Sequence, residues 1–207
     1  MAINMFTLTD NLFYSVLITT FGMFLSVDIE CHFNTSTVWY NYPCEVTNDV
    51  IINSQETTTV NRVIGTHGQG KSHNDVKQFN AEDKIIEYFP KGLEYFFPNI
   101  KVLSIMSCGL KEIHQSDLEM FPELRWASFY DNNIQVLEKG LFSKNPKLGY
   151  IFFNRNKIIF IHDEVFKNLP KLTHIGLGNN ECINGYYDSS DFQDLFRTIS
   201  TNCSAQN

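Results

Sequence analysis

Between Val76 and Asn180 the apolar positions return every 24 residues. Each unit opens on an aliphatic residue: Val76, Ile100, Leu124, Leu148 and Leu172. Three positions on stand Phe79, Leu103, Ala127, Ile151 and Ile175; five positions on stand Ala81, Ile105, Phe129, Phe153 and Leu177. That alternation predicts a short strand with two side chains inward and the one between them outward. Eight positions in come Lys84, Cys108, Asn132, Asn156 and Asn180, where the chain must turn out of the strand, followed two further on by Ile86, Leu110, Ile134 and Ile158. Pro98, Pro122, Pro146 and Pro170 keep the same phase. One such unit cannot bury its own apolar face, so the pattern predicts a stack of units with sealed ends.

The second half of each unit predicts a plugged outer side. Leu110, Ile113, Leu118 and Phe121 are followed a unit later by Leu137, Phe142 and Asn145, then by Ile161, Phe166 and Leu169. Asn145 breaks its apolar column and is expected on an exposed turn. Lys84 marks the first unit as irregular, with the weakest of the five strands.

These columns read Leu-x-x-Leu-x-Leu-x-x-Asn/Cys-x-Leu, and over about half the chain the sequence resembles the leucine-rich repeat family. The resemblance implies an α/β repeat fold, a short solenoid with parallel strands on its concave face and a disulfide-bonded cap at each end. It further implies a buried ladder of Asn132, Asn156 and Asn180, with Cys108 as a small substitute and therefore the free thiol. Of the five cysteines, Cys31 and Cys44 precede the repeats, and Cys182 and Cys203 follow them. The expected bridges are Cys31–Cys44, closing an N-terminal hairpin, and Cys182–Cys203, stapling a short amphipathic helix between Ser189 and Ile199 over the last repeat. A pairing through Cys108 is the competing arrangement and would pull a ladder residue out to a cap. The domains so read are a leader over 1–27, a cap over 28–75, repeats over 76–177 and a second cap over 178–207.

Composition narrows the function classes. The 207 residues carry 16 basic and 23 acidic side chains, a net charge of −7, which argues against nucleic acid or an anionic membrane as the main partner. With 43% hydrophobic and 14% aromatic residues, disorder is excluded. The run Leu12–Leu25 has the length of a signal-peptide core, although its flank lacks Lys and Arg and holds Asp10; a buried N-terminal helix is the alternative. No later run of about 18 apolar residues occurs, so no membrane insertion is expected once the leader is removed. The expected location is extracellular. Asn34-Thr35-Ser36 is an acceptor for N-glycosylation, and Asn202-Cys203-Ser204 a second, less accessible one.

Three motifs invite chemistry. Gly65 to Ser72 matches the phosphate-cradling Gly-x-x-x-x-Gly-Lys-Ser loop after a strand-like run over Thr57–Ile64, with Asp163 after an apolar run downstream. That loop needs a helix starting at Gly-Lys-Ser, and His73 to Gln78 holds a single apolar residue, so nucleotide binding is only a remote alternative. The same stretch is similar to one in small secreted leucine-rich repeat proteins of flies and midges; Toll-type receptor ectodomains are a more distant likeness. His67 and His73 share this loop and could meet Asp75 or Asp83 on a metal, but no further ligand stands at zinc spacing. No Gly-x-Ser-x-Gly elbow is present. The expectation is no enzyme, no cofactor and no metal.

Function is then expected on the concave face. Its outward columns read Val102, Trp126, Tyr150, His174; then Ser104, Ser128, Phe152, Gly176; then Met106, Tyr130, Asn154, Gly178. Trp126, Tyr130, Tyr150 and Phe152 predict one aromatic patch, with His174 beside it and Arg125, Asp131 and Arg155 at its border. Aromatics edged by Arg match the composition of protein-interaction hot spots. The expected partner is a protein or peptide; self-association into a homodimer through this face is the alternative.

Overall fold

A computed structural model describes residues 26–33 and 42–204. The N-terminal strands are β1 (Ser26–Phe33), β2 (Pro43–Val46), β3 (Ile51–Ile52) and β4 (Thr59–Ile64). The repeats supply β5 (Gln78–Glu82), β6 (Ile85–Ile86), β7 (Val102–Met106), β8 (Trp126–Ser128), β9 (Val136–Leu137), β10 (Tyr150–Phe152), β11 (Phe160–Ile161) and β12 (His174–Gly176). β13 (Tyr186–Asp188) follows. Helices are brief: α1 (Leu93–Phe96), α2 (Gln115–Leu118) and α3 (Phe192–Thr198), the last continuing as a wider turn to Cys203. Among the described residues no helix is long and apolar enough to cross a membrane.

The sequence period sets the register. Phe79 pairs with Leu103, Leu103 with Ala127, Ala127 with Ile151 and Ile151 with Ile175, all in parallel strands. Every residue in that column is fully buried, as are Ala81, Ile105, Phe129, Phe153 and Leu177 two positions on. The resulting sheet has nine strands in the order β13-β12-β10-β8-β7-β5-β2-β1-β4. The first repeat strand is regular: β5 has five residues and pairs with β7 along its whole length. Lys84 lies beyond it and does not disturb it.

Turning out of the strand costs the same conformation each time. Asp83, Ser107, Asp131, Arg155 and Asn179 occupy one column and take φ of 53°, 52°, 56°, 57° and 57°. Left-handed backbone suits Asn and Asp better than Ser or Arg, so the column is irregular in identity though uniform in shape. The next column holds the chain between turns. Asn132 accepts from the Cys108 and Leu110 N–H groups and donates to the Ile105 carbonyl, 27 residues back. Asn156 and Asn180 donate to Phe129 and Phe153 at the same offset, and accept from Ile134 and Ile158. Cys108 keeps the address with a thiol: its Sγ lies 3.6 Å from the Ala81 carbonyl. It is free and buried, and burial pushes the thiol up to about 11.

Asn145 requires a correction. It is fully buried, not exposed on a turn. Its amide donates to the carbonyls of Leu118 (2.9 Å) and Phe121 (3.0 Å) in the preceding repeat, so a polar residue enters the outer column by bonding to the end of α2. Around it the phenylalanines stack, Phe142 on Phe166 at 6.1 Å and Phe129 on Phe153 at 5.2 Å.

Both ends are closed by a disulfide, Cys31–Cys44 and Cys182–Cys203. β1 and β2 run antiparallel as a hairpin, and β2 lies parallel to β5 with Cys44 opposite Phe79. The N-terminal cap thus prolongs the core column as well as covering it. Ser26 and Val27, the last residues read as leader, open β1 and pair with Thr59 and Val60. At the other end α3 buries Leu195, and Ile199 follows one turn on. β13 returns antiparallel along β12, an addition that the repeat pattern does not contain. The acceptor Asn34 lies outside the described residues.

Candidate recognition surface

The concave face is built by what stands between the two core columns. Register places Trp126 beside Tyr150 and Tyr150 beside His174 on adjacent strands. Their rings stack along the solenoid axis: Trp126 and Tyr150 lie 4.8 Å apart, and Tyr150 and His174 lie 5.0 Å apart with planes within 7°. Phe152 leans on Trp126 at 4.8 Å. Face-to-face stacking spends much of the ring faces on one another.

Tyr186 completes the row and was not legible in the repeat. β13 sets it opposite Gly176, where its ring meets Phe152 at 6.3 Å and His174 at 5.9 Å. It is 58% exposed, the most open ring of the group. Gly176 makes room for this end of the row: a Cβ there would come within 2.7 Å of the Phe152 ring and 2.2 Å of the Asn154 side-chain amide. The alternation of Tyr186, Tyr187 and Asp188 was the available signal, but an antiparallel return strand has no period to reveal it.

The remaining sequence-predicted residues separate into two groups. Tyr130 stands apart from the row, under the Arg155 guanidinium at 5.8 Å. Arg155 donates to Asp131, which also accepts from Ser107, so these turn residues are linked from repeat to repeat. Arg125 is exposed at the start of β8, on the opposite rim. Val102, Ser104 and Ser128, read as outward, are buried on the concave side at about 5–6% exposure.

The Gly65–Ser72 loop docks on the N-terminal cap. The Gly68 N–H donates to the Tyr42 hydroxyl (3.0 Å), which lies 2.8 Å from His67 Nδ1. His67 also stacks on Phe33 at 3.9 Å, and His73 meets it edge-on at 4.7 Å. Burial depresses the proton affinity of both imidazoles. After Ser72 comes only a three-residue 3-10 turn, His73–Asp75, not the helix a phosphate loop requires. Among the described residues no group of three or more His, Cys, Asp or Glu side chains is placed to hold a metal. A cavity of about 530 Å³ on the flank is lined by polar and charged side chains, with Lys111 paired to Glu87 and His114 3.6 Å from both Glu112 and Glu138.

A family model described as leucine rich repeat matches residues 122–182, the segment that carries β8 to β12 and all three asparagines of the ladder. The chain folds as a leucine-rich repeat solenoid. No curated protein sequence matches it. Solved leucine-rich repeat structures do. A chain of the TLR13–ssRNA13 complex superposes with a TM-score of 0.50 at 20% identity, over 59% of this chain and 18% of that one. A chain of the Toll–Spatzle complex, a molecular hub in Drosophila development and innate immunity, gives 0.49 at 16% identity, over 61% and 17%. The APL1 leucine-rich repeat domain gives 0.48 at 16% identity, over 74% and 43%. This chain therefore spans about a fifth of the first two, and the likeness is one of fold.

Proposed function

We propose that this leucine-rich repeat chain is an exported, non-enzymatic recognition module that binds a protein partner on its concave face. The observation that carries the reading is the row Trp126–Tyr150–His174–Tyr186 with Phe152, five rings gathered on the open side of a nine-stranded sheet. Aromatic residues held rigid by stacking lose little freedom on binding, which is how interface hot spots concentrate their energy. Export is supported by a disulfide at each end, since such bridges persist in oxidising compartments. The leader assigned to 1–27 would be cut before Ser26 if β1 is to stay whole.

The test is capture of a partner from the source's extracellular fluid by the tagged protein, beside a Trp126→Ser, Tyr150→Ser variant. Both side chains are half-buried on the sheet surface, so the core and the disulfides are untouched. A partner held by the wild type and lost by the variant supports the reading. Equal capture moves the site to a cap or flank, and self-association alone makes the row a homodimer contact.

A further inference from the structure

The C-terminal cap carries a modification motif that the concave-face reading does not use. Asn202-Cys203-Ser204 has the spacing of an N-glycosylation acceptor, an amide two residues ahead of a hydroxyl. Its middle residue closes the Cys182–Cys203 bridge and is 2% exposed, which by itself argues for poor access. The Asn202 side chain is nonetheless exposed, as are Ser200 and Thr201 before it. The wide turn over Ile199–Cys203 sends its two end residues inward and the three between them to solvent. A glycan on Asn202 therefore displaces nothing in the cap. The Ser204 hydroxyl donates to the Ile161 carbonyl at 3.4 Å, which ties the motif to the flank strand β11 and not to the concave sheet.

The folded cap cannot itself be the acceptor. Transfer needs the Asn amide and the Ser hydroxyl presented together on a segment that the transferase can grip. Here the hydroxyl is spent on Ile161, and the Ser204 N–H donates to the Ile199 carbonyl at 3.0 Å. Thr201 Oγ donates to the Arg197 and Thr198 carbonyls and holds the same turn wound. Opening it would draw Ile199, 1% exposed, out of the core against the bridge. Attachment must therefore precede closure. Disulfide formation is slow beside the local winding of chain, which leaves an interval with the motif open. Glycan transfer and bridge closure then compete for one segment, in which the cysteines stand 21 residues apart.

We propose that Asn202 is an N-glycosylation site whose occupancy is set by competition with closure of the Cys182–Cys203 bridge. The Asn202 amide nitrogen bonds to the anomeric carbon of an oligosaccharide carried on a lipid pyrophosphate. The carbon–oxygen bond to the phosphate breaks, the lipid pyrophosphate departs with the electron pair, and the amide yields one proton to a base of the transferase. An unbridged chain is open to this step and a bridged one is closed, so the product is a mixture of glycosylated and bare forms. The proposal rests on the export reading.

The experiment expresses the chain with its own leader in secreting eukaryotic cells. Cell and medium fractions are each treated with a peptide N-glycosidase or left untreated, and resolved by intact mass, so a variant is scored whether or not it folds. In the Asn34→Gln chain a glycosidase-sensitive form is expected beside a bare one, and its loss is expected on adding Asn202→Gln or Ser204→Ala. The enzyme leaves aspartate at the attachment site, which peptide mapping locates. Ser204→Thr, a better acceptor that keeps the bridge, should raise the glycosylated fraction. Cys182→Ser with Cys203→Ser removes the bridge, keeps an Asn-x-Ser acceptor, and should raise that fraction further. Asn202 wholly bare in Asn34→Gln chain recovered from the medium overturns the proposal and leaves the export reading standing. Equal occupancy with and without the two cysteines overturns it as well. A chain confined to the cytosol, bare at Asn34 and Asn202 alike, overturns both readings.

Discussion

At the scale of single residues, the buried amides carry more than their number implies. Asn132 satisfies the backbone of two turns at once, with an acceptor bond to Leu110 at 2.9 Å and a donor bond to Ile105 at 2.8 Å. Asn132→Ala orphans these groups in the interior and should cost about 2–4 kcal/mol, measured as a lower urea midpoint with an unchanged slope. The paired histidines of the cap predict a pH dependence. His67 and His73 are half-buried beside Tyr42, with Lys71 and Asp75 the nearest charges, and their proton affinities are lowered. The unfolded chain therefore takes up protons near about pH 6.5 where the folded one does not, so stability is full above that value and falls as pH drops below it. Urea unfolding between about pH 7 and 5 should show this decline, and His67→Gln with His73→Gln should flatten it. Asp75, held low by the Ser72 N–H and hydroxyl, contributes with the same sign only further down, below the ordinary carboxylate range.

At the scale of the element, each strand must be followed by a left-handed residue, and this is a sharper requirement than its sequence shows. Asp83→Val places a β-branched side chain at φ 53° and should lower stability by about 1–2 kcal/mol in thermal unfolding, whereas Asp83→Asn should be close to neutral. The strands themselves were legible because the alternation of Leu103 and Ile105, or Ile151 and Phe153, repeats five times in phase. Outside the period, the cysteines and the amphipathic pattern still marked the N-terminal hairpin and the helix over Phe192–Thr198. β13 escaped because one antiparallel return has nothing to be in phase with, and so did the joining of β2 to the repeat sheet, where Cys44 prolongs the core column from a cap. Asn145 misled for a different reason: polarity in an apolar column reads as exposure, while the residue is buried by two carbonyls that a neighbouring repeat leaves within reach. Trp126, Tyr150, Phe152 and His174 were placed together by counting alone. That their faces are spent on each other could be known only from the ring planes.

At the scale of the molecule, the caps do more than seal the stack. β2 and β13 both join the repeat sheet, so the open face extends past the repeats at each end, and Tyr186 and Lys71 reach it from the caps. The stacked aromatic side chains gather toward the C-terminal repeats. The chain has two tryptophans, and replacing Trp39, which lies outside the described residues, by Phe leaves Trp126 as the single indole reporter. Its emission, followed while the captured partner is titrated in and binding is monitored independently by calorimetry, tests the concave-face account most directly. The account predicts a change in Trp126 emission that saturates at the calorimetric stoichiometry; full calorimetric binding with unaltered Trp126 emission would contradict it.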